Sequence, residues 1–210
     1  MGELAGAVNR TETTTFAAAG EPMTTAEDAV AGASPHSGWV VLVTMTRADG
    51  RPVLADRRRA SLIAPGLPPQ PHEHQARQLP LAEAEALVAQ VAASARANAI
   101  AALASLAHDL APGRRLHALS IRAGPLKPLP QSVAEVLASY QAICSADGEM
   151  YRQALCDAAR ELGLALVEHP RATPPGLGRL GLDPGPPWTQ EHKSAAAFAL
   201  QALDARAGDP

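Results

Sequence analysis

The stretch WVVLVTMTRADGRPVLAD, residues 39–56, carries the clearest structural signal in this chain. Residues 39–46 are apolar and β-branched, which is typical of a buried strand, and residues 52–56 supply a second, shorter strand. Asp49 and Gly50 stand between the two, and this dipeptide tolerates the positive φ angles of a tight hairpin turn. Residues 59–64 either continue the second strand or form a third. The stretch therefore predicts an antiparallel meander.

Helical and extended patterns alternate after the meander. Residues 81–110 carry leucine and valine among alanines without glycine or proline, Pro80 precedes them and Gly113 follows, so they predict one long helix. The later segments are a strand at 115–122, two helices at 132–143 and 146–162 or one helix interrupted near Asp147 and Gly148, a strand at 164–169, and an alanine-rich helix at 193–206. This order predicts an α/β fold with a mixed central sheet and helices on its faces.

The length of 210 residues fits one domain of ordinary size with flexible ends. We place the domain at residues 29–206. Residues 1–28 are rich in threonine, alanine, glycine and glutamate without sustained periodicity, which predicts a flexible leader. Residues 207–210 form a short tail.

Composition argues against several classes of partner. The net charge of −3 supplies no general attraction to nucleic acid or to an anionic membrane, and an aromatic content of 3% disfavours base stacking. The arginines at 57–59 and 114–115 are expected to be solvated ends of strands and turns. Two cysteines cannot build a disulfide framework, and no transmembrane run or targeting segment is predicted. These features predict a cytoplasmic protein without a membrane partner.

The element order resembles that of the ribonuclease H-like superfamily, which includes Holliday-junction resolvases and retroviral integrases. Residues 29–35, AVAGASP, ahead of residues 37–41, SGWVV, resemble the opening strand, loop and second strand of the resolvases. Residues 191–197, EHKSAAA, are similar to the helix that ends such domains. The Gly-Pro-Pro-Trp at 185–188 is also similar to small bacterial proteins of this layout that have no assigned function.

The resemblance implies a chemistry that this chain lacks the residues to perform. In that superfamily, carboxylates from the first strand, the fourth strand and the last helix hold two divalent ions. The matching positions here are Ser34, Arg122 (or its neighbour Ala123) and Ser194, and none of them is acidic. The resemblance thus implies a divergent, non-catalytic binding or assembly module with no cofactor. Nucleic acid follows as a partner only by analogy of fold.

A second hypothesis places a metal-binding catalytic centre at other residues of the chain. His72, Glu73 and His74 form the densest set of potential metal ligands, and two histidines at alternate positions of an extended segment face the same side. Together with Glu149 they would make a metal-assisted hydrolase or nuclease that uses a divalent ion. The competing interpretation is a polar loop before a helix, with Glu149 paired to Arg152 in a first helical turn.

Two further residues are candidates to face a ligand, His36 and Trp188. The alternative for Trp188 is a plug at the end of the core. Ser34 or Ser37 with His36 does not suggest a hydrolase, because the chain has no Gly-x-Ser-x-Gly elbow. The alanine-rich helices offer a surface through which a second copy of the chain could bind, so a homo-oligomer is a further hypothesis.

Overall fold

The computed structural model describes residues 27–125, 127–170 and 185–207. The predicted leader up to residue 26 and the tail from 208 lie outside these ranges, and residues 27 and 28 already belong to the first strand. The elements, in chain order, are β1 Glu27–His36, β2 Trp39–Ala48, β3 Arg51–Ser61, α1 Leu81–Asp109, β4 Arg114–Arg122, α2 Val133–Leu137, α3 Tyr140–Glu161, β5 Ala165–His169 and α4 Gln190–Ala207.

The strands described form one mixed sheet in the order β3-β2-β1-β4-β5. β1, β2 and β3 make the antiparallel meander, while β4 runs parallel to β1 and β5 parallel to β4. The predicted α/β class with a mixed sheet is therefore confirmed. The hairpin turn between β2 and β3 is the predicted one, with Asp49 at φ 50° and Gly50 at φ 74°.

Helices cover both faces of this sheet. One face packs against α1 and α3 in a core that includes Ala31 and Ala33 of β1. The other face packs against α4, and Val30 of β1 belongs to that second core. Alternate residues of β1 therefore point to opposite layers, as the pleat of a strand requires. Because β1 is buried on both faces, it reads as a run of small apolar residues.

The helical region before β5 divides at a different place from the predicted one. α3 runs without interruption through Asp147 and Gly148, and the break falls instead at Ala138–Ser139. The Ser132 hydroxyl accepts a hydrogen bond from the backbone N–H of Glu135 to cap α2, and Ser139 caps α3 in the same way. A glycine in a helix costs about 1 kcal/mol, which the packing of a 22-residue helix outweighs.

The sequence analysis predicted no run of transmembrane length, and α1 differs from that prediction. By length and composition alone, this helix is long and apolar enough to cross a membrane. It instead packs against α3 and the sheet through one stripe, made of Ala84, Val91, Ala95, Ala99, Leu103 and Leu106. Core helices commonly pass a test of length and composition, so a single such helix is weak evidence for membrane insertion.

Candidate functional site

The three positions marked by the resemblance lie at one end of the sheet. The parallel register pairs Gly32 with Ser120 and Ala33 with Ile121, so the next step along both strands brings Ser34 beside Arg122. Side chains two residues apart on a strand share a face. Ser34 therefore lies on the same side of the sheet as Gly32, which faces α4.

α4 crosses this end of the sheet at very short range. A Cβ atom built on Gly32 would overlap the carbonyl oxygen of Ala195 and would lie 2.8 Å from the backbone nitrogen of Ala199. Ser194 precedes Ala195 in the same turn of α4. The fold thus places Ser34 and Arg122 on neighbouring strands, and Ser194 lies in the turn of α4 that includes Ala195.

Other polar side chains at this junction already satisfy one another. The Ser120 hydroxyl donates to the carbonyl of Phe198 in α4 at 2.7 Å, and its oxygen lies 2.7 Å from Nε2 of His169. Because the hydroxyl proton is used on Phe198, His169 must donate its Nε2 proton to Ser120. Burial lowers the pKa of His169, which favours this neutral ring.

Glu191, in the first turn of α4, is the acidic side chain that lies closest to the predicted centre along the helix. A hydrogen bond from Thr189 lowers its pKa, and His36 and His192 add smaller electrostatic contributions in the same direction. It is therefore ionised at neutral pH. A single carboxylate supplies too few oxygen ligands for the two-ion centre that the resemblance implies.

His36, at the end of β1, stacks on Trp39 of β2. Their ring centroids are 4.1 Å apart and the planes differ by 7°. The guanidinium carbon of Arg59, on β3, lies 4.0 Å from the Trp39 ring centroid. Nε2 of His36 is buried and has no hydrogen-bond partner in the described part of the chain, and burial lowers the pKa of this histidine. Sequence reasoning found His36 but missed Arg59, because a run of three arginines gave no sign of which one would contact Trp39.

Trp188, the other candidate to face a ligand, is half-buried at the entry to α4. Its ring centroid lies 5.7 Å from that of His192, and it packs on the core between α4 and the sheet. Arg57 fixes the preceding segment by donating to the backbone carbonyls of residues 185–187. Arg57 is thus an anchor for α4 rather than the solvated strand end that was expected.

The candidate metal ligands at 72–74 have structural partners. The Asp147 carboxylate accepts the backbone N–H of His72 at 3.1 Å and that of Glu73 at 3.2 Å. Nδ1 of His72 lies 2.7 Å from the same carboxylate, and both side chains are buried. His74 is exposed. Asp147 therefore holds the turn that leads towards α1, a role that sequence reasoning did not assign to it.

Glu149 lies elsewhere, in a cluster around Arg152. The buried Arg152 guanidinium donates to Glu149, to Glu168 at 2.8 Å and to the Cys156 sulfur at 3.2 Å. The predicted pairing of Glu149 with Arg152 is confirmed. The structure does not bring Glu149 together with His72 and His74, and across residues 27–125, 127–170 and 185–207 no three His, Cys, Asp or Glu side chains are grouped to hold a metal ion.

Comparisons with known proteins find similarity in solved structures only. No family model matches this chain, and no curated protein matches it. The chain is similar to T. thermophilus RuvC in complex with Holliday junction substrate, at 19% identity and a TM-score of 0.45 over 86% of this chain and 96% of that one. It is also similar to a second Thermus thermophilus RuvC structure, at 17% identity and a TM-score of 0.46 over the same shares.

Proposed function

We propose that this protein is a non-catalytic member of the ribonuclease H-like fold, a binding or assembly module without two-metal nuclease activity. The observation that carries the proposal is the register of β1 and β4, which places Ser34 next to Arg122 on neighbouring strands, together with the close packing of α4, the helix that carries Ser194, on β1. Ser34, Arg122 and Ser194 are the positions at which the resemblance expects carboxylates.

The chemistry of these side chains supports the proposal. Mg²⁺ and Mn²⁺ are hard cations that bind oxygen ligands, and clustered carboxylates supply both the oxygens and the compensating charge. The two serine hydroxyls are neutral, and the Arg122 guanidinium is a permanent cation that repels a divalent ion. Two ions at this junction would therefore lack charge compensation.

The packing at the junction supports the same conclusion. Backbone atoms of α4 occupy the space into which a side chain at Gly32 would project. The Ser120 hydroxyl is used by Phe198 and His169. At the level of Gly32 and Ser120 the space between the sheet and α4 is thus filled by protein atoms that satisfy one another, which suits a scaffold better than a metal centre.

Incubation with nucleic acid substrates tests the proposal. The untagged protein is incubated with a four-way DNA junction and with an RNA–DNA hybrid in Mg²⁺ or Mn²⁺, alongside a matched preparation of the Ser34→Ala/Glu191→Gln variant. We expect no cleavage above the background of that variant preparation. Metal-dependent cleavage by the wild type that the variant lacks would contradict the proposal.

Elemental analysis of the same untagged protein tests the relocated centre at His72, Glu73, His74 and Glu149. We expect no stoichiometric zinc, manganese or iron, and the same thermal stability with and without chelator. These expectations follow from the separate partners of His72 and Glu149. A bound ion that is lost from the His72→Gln variant would restore the hydrolase hypothesis.

A further inference from the structure

Arg59 differs from Arg57 and Arg58 in the partners of its guanidinium group. Arg57 donates to the backbone carbonyls of residues 185–187, and Arg58 pairs with Asp56 and Asp109. Arg59 is exposed, and within the described part of the chain no carboxylate lies at ion-pair distance from it. The guanidinium carbon lies 4.0 Å from the centroid of the Trp39 ring, a contact that uses none of the N–H donors of Arg59 in a conventional hydrogen bond.

Arg59 and Trp39 line an open cavity of about 500 Å³ at the tip of the β1–β2 hairpin. Ile63 and Pro69 form an apolar wall close to Gly38, where an added Cβ would lie 3.1 Å from Ile63 and 3.2 Å from Pro69. The remaining lining residues are Ser37, Gly38 and Ser61. The cavity thus combines apolar walls with the Arg59 guanidinium, which has no ion-pair partner among the residues that the structure describes.

The hydroxyl groups of the cavity differ in availability. Ser61 donates its hydroxyl proton to the carbonyl of Ile63 at 2.9 Å, so it does not have that proton to offer a ligand. The Ser37 hydroxyl has no hydrogen bond to any residue that the structure describes. Ser37 and Arg59 are therefore the polar groups that a ligand in this cavity would engage.

We propose that this cavity binds a small monocarboxylate with a compact apolar body. Arginine recognises a carboxylate through two parallel hydrogen bonds, and Ile63, Pro69 and the edge of Trp39 cover the apolar part. A dianion such as phosphate would pair with Arg59 but has no apolar part to cover Ile63 and Pro69. A neutral ligand would leave the guanidinium without a partner.

The stacked rings prepare this cavity for a ligand. Trp39 lies on β2 between His36 on β1 and Arg59 on β3, and its contact with His36 restrains the indole ring. A guanidinium that rests on a restrained ring loses less side-chain entropy when a carboxylate binds. The inference goes beyond the proposed function, because a carboxylate can bind at the hairpin tip whether or not the β1–β4–α4 junction is catalytic.

NMR titration of the full chain tests the proposal. The two tryptophans give two indole N–H signals, and the Trp188→Phe variant assigns the signal of Trp39. The wild type is titrated with benzoate, with neutral benzamide of the same shape and with inorganic phosphate, all at one ionic strength. We expect a saturable shift of the Trp39 signal with benzoate, with a Kd in the millimolar range for so small a ligand. The Kd for benzamide and the Kd for phosphate should each be at least about tenfold higher than the Kd for benzoate.

Two charge variants on the same edge strand separate the cavity from general electrostatics. Arg59→Gln should weaken benzoate binding about tenfold or more, while Arg51→Gln, exposed and outside the cavity, should leave it unchanged. Equal responses to benzoate and benzamide, equal losses in the two variants, tighter binding of phosphate, or no saturable shift with benzoate would each overturn the proposal. The nuclease assay is a separate experiment, so either idea can fail while the other stands.

Discussion

Gly32 of the central strand and Ala195 of α4 meet backbone to backbone. A Cβ at Gly32 would lie 2.7 Å from the carbonyl carbon of Ala195, a separation that real Cβ atoms do not adopt. The residues of α4 that face the sheet near this point are alanines for the same reason. This contact determines how closely α4 approaches the ends of β1 and β4.

Replacement of Gly32 by alanine should destabilise the protein strongly. The added methyl must displace α4 or bend β1, so we expect the free energy of unfolding to fall by about 3 kcal/mol or more. Urea denaturation of the variant and wild type measures this loss. Gly148→Ala is the control: it lies inside α3, an added Cβ there would meet no atom within 4 Å, and it should stabilise by about 1 kcal/mol. A Gly32→Ala variant as stable as wild type would refute the close packing of α4.

Replacement of Asp147 by asparagine should also destabilise the protein. The change removes the negative charge that accepts bonds from His72 and Glu73, and charge-assisted hydrogen bonds contribute about 1.5–3 kcal/mol each. We expect a loss of about 2 kcal/mol in urea denaturation. Asp157→Asn on the same helix removes a mostly exposed pair with Arg160 and should cost less than about 1 kcal/mol. Similar losses in the two variants would argue against a special role for Asp147.

Three half-buried or buried histidines should make the protein less stable in mild acid. Burial lowers the pKa values of His36, His169 and His192 below the ordinary value of 6.5. As the pH falls, the unfolded chain therefore binds more protons at these histidines than the native chain does. Stability is therefore complete above that ordinary pKa and decreases as the pH falls from about 7 to about 5. Thermal unfolding across this range should show the decrease.

The His169→Gln variant tests the origin of this pH dependence. Glutamine does not titrate, so the decrease between about pH 7 and pH 5 should be smaller than in wild type. His74→Gln, at an exposed position, should reproduce the wild-type profile. An unchanged profile for His169→Gln would mean that this histidine does not contribute.

Introduction of carboxylates should create a metal site if Ser34, Arg122 and Ser194 converge as described. We expect the Ser34→Asp/Arg122→Glu/Ser194→Asp variant to bind Mn²⁺ with a Kd of about 0.1 mM or below, measured by calorimetry, whereas wild type shows no comparable binding. The matched control keeps Arg122 and carries the two aspartates only, and it should bind more weakly. A triple variant that binds no better than wild type would contradict the convergence.

The local elements were predictable because their signals lie within a few residues of one another. The β-branched run at 39–46, the Asp49–Gly50 turn and the helix that begins after Pro80 all appear where the sequence placed them. The helix break near Gly148 was wrong. A glycine weighs against a helix locally, but the buried packing of α3 and the hydrogen bonds that the Asp147 carboxylate accepts from the backbone of residues 72–73 outweigh that local cost.

The sequence by itself determined the β2–β3 hairpin with its turn, the long helix after Pro80 and the lack of acidic residues at the three positions that the resemblance marks, whereas the first strand was placed only through the resemblance. Only the tertiary structure decided which side chains distant in sequence lie next to each other. The Asp147–His72 contact joins residues 75 positions apart, and the meeting of Ser34 with Arg122 depends on the register of two parallel strands. Likewise, packing gives partners to Arg57 and Arg58, whereas Arg59 has no carboxylate at ion-pair distance in the ranges that the structure describes. Propensity and periodicity act over a few residues, whereas these contacts arise from the docking of whole elements, which no local pattern encodes.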